Sequence, residues 1–91
     1  MQKNIEWNHH YIKKEVANFI KKKFMKDSPE DLTDEYPLLV KGIVDSLSMM
    51  TIILFLEKQF GLNFYTIDVK REDFACVNAI CDLVYSNLEK V

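Results

Sequence analysis

Three stretches of the chain repeat their apolar residues at the spacing of an α-helix. In the first, about His10 to Lys26, a single apolar stripe runs along the predicted helix. The members of this stripe are Ile12, Val16, Phe19, Ile20 and Phe24. In the last stretch, about Val77 to Leu88, the stripe consists of Val77, Ile80, Val84 and Leu88, with Cys81 beside it. Both patterns predict helices that bury one face.

The middle stretch, about Ser46 to Phe60, predicts a second helix that Asp45 or Ser46 caps and Gly61 ends. Its core-facing stripe contains Met49, Ile52, Ile53, Leu56 and Phe60. A second apolar group lies on another side of this helix and consists of Leu47, Met50 and Leu54. A small domain cannot bury a helix on every side, so we predict that this group forms an exposed surface for a partner. The alternative is that the preceding connection covers it. Phe55 is predicted to point almost directly away from the core.

The connection at residues 27–45 is long for a compact domain, and such connections are usually functional or disordered. Asp27-Ser28-Pro29 opens it, because the residue before a proline disfavours the helical conformation, and Gly42 marks its final turn. We interpret its scattered apolar residues as anchors to the core, namely Leu32, Tyr36, Leu38, Leu39 and Val40. We therefore predict a packed, functional loop. With a single helical turn at Lys70–Phe74, the pattern predicts an all-α four-helix fold with three main helices and one short one.

The length of 91 residues predicts one domain, 1–91, with a core at about 10–89 and a flexible segment at 1–9. A composition of 48% hydrophobic and 29% charged residues, with only 2 Gly and 2 Pro, is typical of a helical globular domain. No stretch approaches the roughly 18 apolar residues of a membrane span. Met1 to Trp7 lack the apolar region of a secretory signal. We therefore expect a cytoplasmic, monomeric protein without stable membrane insertion.

The net charge of −2 hides an asymmetry, because residues 1–26 carry seven Lys and two Glu, a net of +5. A basic first helix is able to steer an anionic partner, so a nucleic-acid-binding module is one alternative function. The lysines that this alternative would use are Lys13, Lys14, Lys21, Lys22, Lys23 and Lys26. The simpler interpretation is a solvated helix face. Because no recognition helix is evident and the rest of the chain is acidic, we expect no nucleic acid as a partner.

Cysteine and histidine residues do not indicate an enzyme or a metal site. Cys76 and Cys81 are five residues apart, about 140° around a helix, so they cannot form a disulfide within it. His9-His10 is the only His pair, and adjacent residues do not converge on one site. With no nucleophile–base pair and no metal-ligand spacing, we expect no catalytic residue and no metal.

Ser46 admits two interpretations. A serine at a helix start is commonly just an N-cap. The same position is also suited to an anion, because the free backbone N–H groups and the helix dipole favour a phosphate. A hydroxyl beside Asp45, after the Gly42 turn and at the end of a long surface loop, is an accessible attachment point.

Three segments together resemble the acyl carrier protein family. They are Tyr36 to Leu47 (YPLLVKGIVDSL), Phe55 to Leu62 (FLEKQFGL) and Asp73 to Ile80 (DFACVNAI). Asp-Ser-Leu alone is a weak motif, but the later segments follow at the family's spacing, and the resemblance covers about residues 10–89. It implies a four-helix fold of the acyl-carrier type, in which Ser46 receives 4′-phosphopantetheine from coenzyme A. A separate Mg²⁺-dependent phosphopantetheinyl transferase attaches the group, and Asp45 helps that enzyme and its metal to engage.

The resemblance also implies what the arm and the surface do. The thiol of the arm carries an acyl or aminoacyl group as a thioester, so the domain needs no catalytic residue of its own. Acyl-activating or acyl-transferring enzymes would contact Leu47, Met50, Leu54 and Glu57. Core positions of the family, some of which line an acyl pocket in fatty-acid carriers, match Ile52, Ile53, Leu56, Phe64, Phe74 and Ile80.

Some positions depart from the family's pattern. Ser48, Thr51 and Lys58 stand where general fatty-acid carriers have acids on the second helix, and only Glu57 remains. We therefore favour a carrier for a dedicated lipid or secondary-metabolite pathway, with an aminoacyl, peptidyl or D-alanyl-type carrier as the alternative. A degenerate carrier kept as a structural subunit is a further alternative, although the intact Asp45-Ser46-Leu47 argues against it. Cys76 replaces the usual Ser or Thr cap of the last helix, so the start of that helix is predicted to fray.

Overall fold

The computed structural model describes residues 8–88, and all of the regular structure within them is helical. The three α-helices are α1 (His9–Phe24), α2 (Ser46–Phe60) and α3 (Val77–Leu88). A 3₁₀ helix at Arg71–Phe74 lies between α2 and α3. The predicted all-α fold with one short helix is confirmed, and the predicted bounds of α2 and α3 agree with the structure.

The predicted bounds of α1 were wrong at both ends. The helix begins at His9 because the Asn8 side chain accepts a hydrogen bond from the Tyr11 N–H at 2.8 Å. It ends at Phe24, where Met25 leaves the helical conformation and buries its side chain. At the start of the helix, the His9 ring stacks on Tyr85 with 4.0 Å between ring centroids. Residues 1–7 lie outside the described part of the chain.

The core lies where α3 packs against α1, and the 3₁₀ helix covers its end. The buried side chains of α1 are the i, i+4 and i+8 members of its predicted stripe, Ile12, Val16 and Ile20. Those of α3 are Val77, Ile80, Cys81, Leu83 and Val84. Phe74 of the 3₁₀ helix is also fully buried, and α2 contributes Ile52, Leu56 and Phe60. Phe19, Phe24, Met49, Ile53, Phe64 and Leu88 are only partly buried at the margin of this core.

Phe55 does not point away from the molecule as predicted. Its ring stacks on Phe19 of α1 at 4.0 Å between centroids and 12° between planes, and it meets Phe60 edge to face at 6.3 Å. The core-facing stripe itself was predicted correctly, because its members Ile52, Leu56 and Phe60 are the buried residues of α2. Phe55 lies roughly 100° around the helix from the middle of these three residues, so it belongs to the flank beside α1 and not to the opposite side.

The long connection is packed, as predicted. Leu38 is fully buried, and its backbone N–H donates to the Ala75 carbonyl at 2.8 Å, just before α3. Within the same loop, the Tyr36 hydroxyl donates to Glu30, and Lys41 Nζ lies 3.7 Å from the same carboxylate. These two contacts, the hydrogen bond first, lower the pKa of Glu30. Val40 is the exception among the predicted anchors, because it lies at the tip of the turn and is 87% exposed.

The same connection holds the start of α3, which was predicted to fray. The Asn78 N–H donates to the Asp34 carbonyl at 3.0 Å, and the Asn78 side chain donates to Glu35. Lys13 Nζ of α1 lies 3.0 Å from the Asp34 carboxylate. Non-local contacts from the loop therefore replace the Ser or Thr cap that Cys76 does not supply.

Candidate functional site

Ser46 is the first residue of α2, and its side chain is exposed. The residue before it, Asp45, is the N-cap, because its carboxylate accepts a hydrogen bond from the Ser48 N–H at 2.9 Å. Of the two caps that the sequence allowed, Asp45 is therefore the one used, and the Ser46 hydroxyl is not needed for capping. The helix start leaves backbone N–H groups and the positive end of the helix dipole beside this hydroxyl.

The loop before Ser46 fixes its position through two buried anchors. Val44 is 1% exposed and Leu38 is fully buried. The N–H groups of Ile43 and Val44 both donate to the Leu38 carbonyl, at 3.0 and 3.2 Å. Gly42 completes the turn with a φ of 76°, a left-handed conformation that favours glycine. The anchors hold the backbone while Asp45 and Ser46 stay at the surface.

Asp45 is the charged group nearest to Ser46 in the sequence. Hydrogen bonds from Ser48 lower the pKa of its carboxyl, so the side chain remains an anion at neutral pH. Asp45 is exposed, like Ser46. An anionic carboxylate therefore lies directly beside the exposed Ser46 hydroxyl in the sequence.

The exposed apolar surface predicted on α2 is present. Leu47, Met50 and Leu54, which we call the apolar face, are 78%, 55% and 60% exposed. The loop at 27–45 does not cover them, so the alternative stated above is wrong. Tyr65, in the segment after α2, is 98% exposed, and sequence reasoning missed it because an irregular segment has no periodicity to place its side chains.

Two adjoining grooves run beside the apolar face. The first, the Ser46 groove, has a volume of about 330 Å³ between α2 and the segment 69–74. Its lining residues are Ser46, Met49, Met50, Ile53, Val69, Lys70, Arg71 and Phe74. The second, the distal groove, has a volume of about 320 Å³ and is lined by Met50, Ile53, Leu54, Glu57, Phe64 and Tyr65. Because the grooves share Met50 and Ile53, an apolar path leads from Ser46 along α2.

Glu57, predicted as a partner contact, has a structural role. It is half-buried, and its carboxylate accepts a hydrogen bond from the Phe64 N–H at 3.1 Å, which ties the segment after α2 back to the helix. Ser48 and Thr51 are half-buried and Lys58 is exposed. The exposed residues that follow Ser46 along α2 are therefore mainly apolar, namely Leu47, Met50 and Leu54.

The remaining chemically interesting residues lie away from this site. Burial raises the pKa of the Cys81 thiol to about 11, and this thiol donates to the His9 carbonyl at 3.6 Å. His9 Nε2 lies 3.9 Å from the Asp82 carboxylate. Within residues 8–88, no three His, Cys, Asp or Glu side chains are grouped so as to hold a metal ion. Lys14, Lys21, Lys22, Lys23 and Lys26 are all exposed, as expected of a solvated helix face.

Comparison with known proteins gives one informative similarity. Over 69 residues the chain is 30% identical to the D-alanyl carrier protein of Streptococcus suis (strain 98HAH33), an alignment that covers 76% of this chain and 85% of that protein. No protein-family model matches the chain, and no solved structure gives a significant match. In residues 8–88, no helix combines the length and the apolar character that crossing a membrane requires.

Proposed function

The chain belongs to the phosphopantetheine-binding carrier proteins, and from that premise we propose that Ser46 carries the arm. The cofactor of this family is a covalently attached 4′-phosphopantetheine, and the carrier is not itself an enzyme. The arm supplies a thiol that holds the cargo as a thioester. The residues of this chain must keep the attachment site accessible and present the arm to the partner enzymes.

The observation that carries the assignment is an exposed hydroxyl at the first position of α2, left free by the Asp45 cap. Attachment forms a bond from Ser46 Oγ to phosphorus and breaks the bond between that phosphorus and the adenosine bisphosphate of coenzyme A. The hydroxyl proton passes to a base of the transferase. The resulting phosphodiester would lie at the positive end of α2. We propose that Asp45, the exposed anion that precedes Ser46, contacts the transferase and its Mg²⁺.

The apolar face is the surface that we propose for partner enzymes. Leu47 follows the attachment residue directly, and Met50 and Leu54 extend the surface along α2. A partner that covers these side chains would bring its active site close to Ser46. The partners are the transferase and enzymes that load or remove the cargo, and we place the protein in the cytoplasm as a monomer.

For the cargo we propose an aminoacyl group, with D-alanine as the first to test. The relative named above is a D-alanyl carrier protein. Ile52, Leu56 and Phe74 are among the core positions that the resemblance matched, and all three are buried, so a long chain that entered the core would have to displace such side chains. A fatty acyl cargo of a dedicated lipid or secondary-metabolite pathway is the second candidate, favoured by the apolar path along the two grooves.

The attachment site is tested by incubating the purified protein with coenzyme A and a promiscuous transferase. Intact-protein mass spectrometry should show a gain of one phosphopantetheinyl group. Ser46→Ala should remain folded and gain nothing, while the matched variant Ser48→Ala, in the same helical turn, should be modified. A modified Ser46→Ala protein, or an unmodified wild type, would contradict the proposal.

The cargo is tested on protein purified from its own cells. Hydroxylamine releases a thioester-bound acyl group as its hydroxamate, and chiral chromatography with mass spectrometry then identifies it. We expect alanine hydroxamate of the D form. A long-chain hydroxamate would overturn the aminoacyl proposal and leave the second candidate in its place.

A further inference from the structure

The Ser46 groove carries two cations on the wall opposite α2. Lys70 and Arg71 both line it, together with Ser46. Arg71 is the single arginine of the chain, whose other basic residues are eleven lysines and two histidines. The rest of the lining is apolar apart from Ser46 itself. Lys70 and Arg71 therefore line the same groove as the Ser46 hydroxyl, and the other lining residues are apolar.

The backbone of this wall is fixed, while its cationic side chains are available. The Lys70 N–H donates to the Asp73 carboxylate at 2.8 Å, and the fully buried Phe74 anchors the 3₁₀ helix to the core. Lys70 Nζ lies 4.0 Å from the carboxylate of the exposed Asp68, a long ion pair. Arg71 is exposed and forms no ion pair with any residue in the range 8–88.

An exposed arginine without a carboxylate partner is suited to a phosphate. The planar guanidinium donates two parallel hydrogen bonds to a phosphate, which a lysine cannot do. The phosphodiester that joins the arm to Ser46 would be a fixed anion at the mouth of this groove. Because it is bonded to Ser46, it starts from a residue that lines the same groove as Arg71.

We propose that Arg71, assisted by Lys70, holds the phosphodiester of the arm and thereby positions the arm along the Ser46 groove. This inference rests on Ser46 being the attachment residue. Arg71 is then a positioning residue, because it acts on the arm and not on the thioester. The consequence is that the arm begins its path over the apolar floor at Met49 and Ile53, instead of projecting freely into solvent.

The test uses fully loaded protein, prepared with coenzyme A and checked by intact mass before any spectrum is recorded. If the intact mass shows that Ser46 has not gained the arm, the proposed function fails, and this result is known before the arm's position is measured. On the loaded protein, NMR should show a shift of the Arg71 Nε–H signal relative to the unloaded protein. It should also show nuclear Overhauser contacts between the geminal methyl groups of the arm and the methyl groups of Ile53 and Val69.

Three variants separate positioning from a structural role. Arg71→Ala should load completely and lose the contacts between the arm and the groove, whereas Arg71→Lys, which keeps the charge but not the planar geometry, should retain weaker ones. The matched control Lys58→Ala removes an exposed cation of α2 that does not line the groove, and it should keep the contacts unchanged. The proposal is overturned if loaded Arg71→Ala keeps the wild-type contacts, or if Lys58→Ala loses as much.

Discussion

Helix α2 has two apolar sides, and only one of them is buried. Ile52, Leu56 and Phe60 lie in the core, whereas Leu47 and Leu54 of the apolar face are 78% and 60% exposed. The residues on both sides are similarly hydrophobic, and the two sides differ in whether another part of the chain covers them. The buried side accounts for stability. The uncovered side, next to Ser46, is the surface to which we assign partner binding.

The largest expected effect is a difference in the free energy of unfolding between substitutions on the buried side and on the exposed side of α2. Leu56→Ala removes a fully buried side chain and should lower the free energy of unfolding by about 2–5 kcal/mol. Leu54→Ala, the same substitution on the apolar face, should change it by no more than about 0.5 kcal/mol. Urea unfolding followed by circular dichroism measures both. Equal losses would show that the apolar face is covered and would break the comparison.

The opposite ranking is expected for partner binding. Leu54→Asp places a charge on the apolar face and should reduce kcat/KM of the transferase by about tenfold, the effect of losing one strong interface contact. Asn18→Asp adds the same charge on the exposed surface of α1 and is the matched control. Coenzyme A consumption measures both rates. A similar loss in the control would mean that net charge, not the apolar face, determines recognition.

The flank between the two sides should give an intermediate effect. Phe55 is half-buried and stacks on Phe19. Phe55→Leu keeps an apolar side chain but removes the ring contact, so it should cost about 1 kcal/mol of unfolding free energy. The double variant with Phe19→Leu should cost less than the sum of the two single variants. Additive losses in urea unfolding would show that the two rings do not interact.

The smallest expected effect concerns the polar end of α2. The pKa of Asp45 is lowered from its ordinary value of 3.8 by the Ser48 hydrogen bonds, so its capping contribution is complete above that value and is lost as the pH falls through the lowered pKa. Asp45→Ala should therefore lower Tm at pH 7, and the difference from wild type should disappear in strong acid. Asp31→Ala removes an exposed loop carboxylate and should leave Tm unchanged at pH 7. A wild-type-to-Asp45→Ala difference in Tm that does not shrink as the pH is lowered from neutral into acid would contradict the capping role.

Periodicity was sufficient for the elements with strong local signals. The bounds of α2 followed from Asp45 at one end and Gly61 at the other, and the structure has a left-handed φ of 70° at Gly61. The Asp-Ser-Leu motif likewise located the candidate site, because its position at a helix start depends only on local sequence. The exposed apolar face followed from counting the apolar sides of one helix.

The features that the sequence could not predict depend on contacts between distant residues. Phe55 was misplaced because a helical wheel does not show where α1 lies, and α1 covers the flank of α2 through the stacking of Phe19 on Phe55. The start of α3 is held by Asp34 and Glu35, more than forty residues earlier in the chain, and no local pattern signals that contact. The position of Arg71 in the lining of the Ser46 groove also depends on residues that are distant in the sequence, so no local pattern predicts it.

The central claim is that a single hydroxyl carries the arm, and peptide mapping of the loaded protein tests it most directly. Trypsin cleavage after Lys41 and Lys58 releases residues 42–58, which contain three hydroxyl side chains, Ser46, Ser48 and Thr51. Tandem mass spectrometry of that peptide should place the whole phosphopantetheinyl group on Ser46. Its location on Ser48 or Thr51, or on any other peptide, would contradict the account.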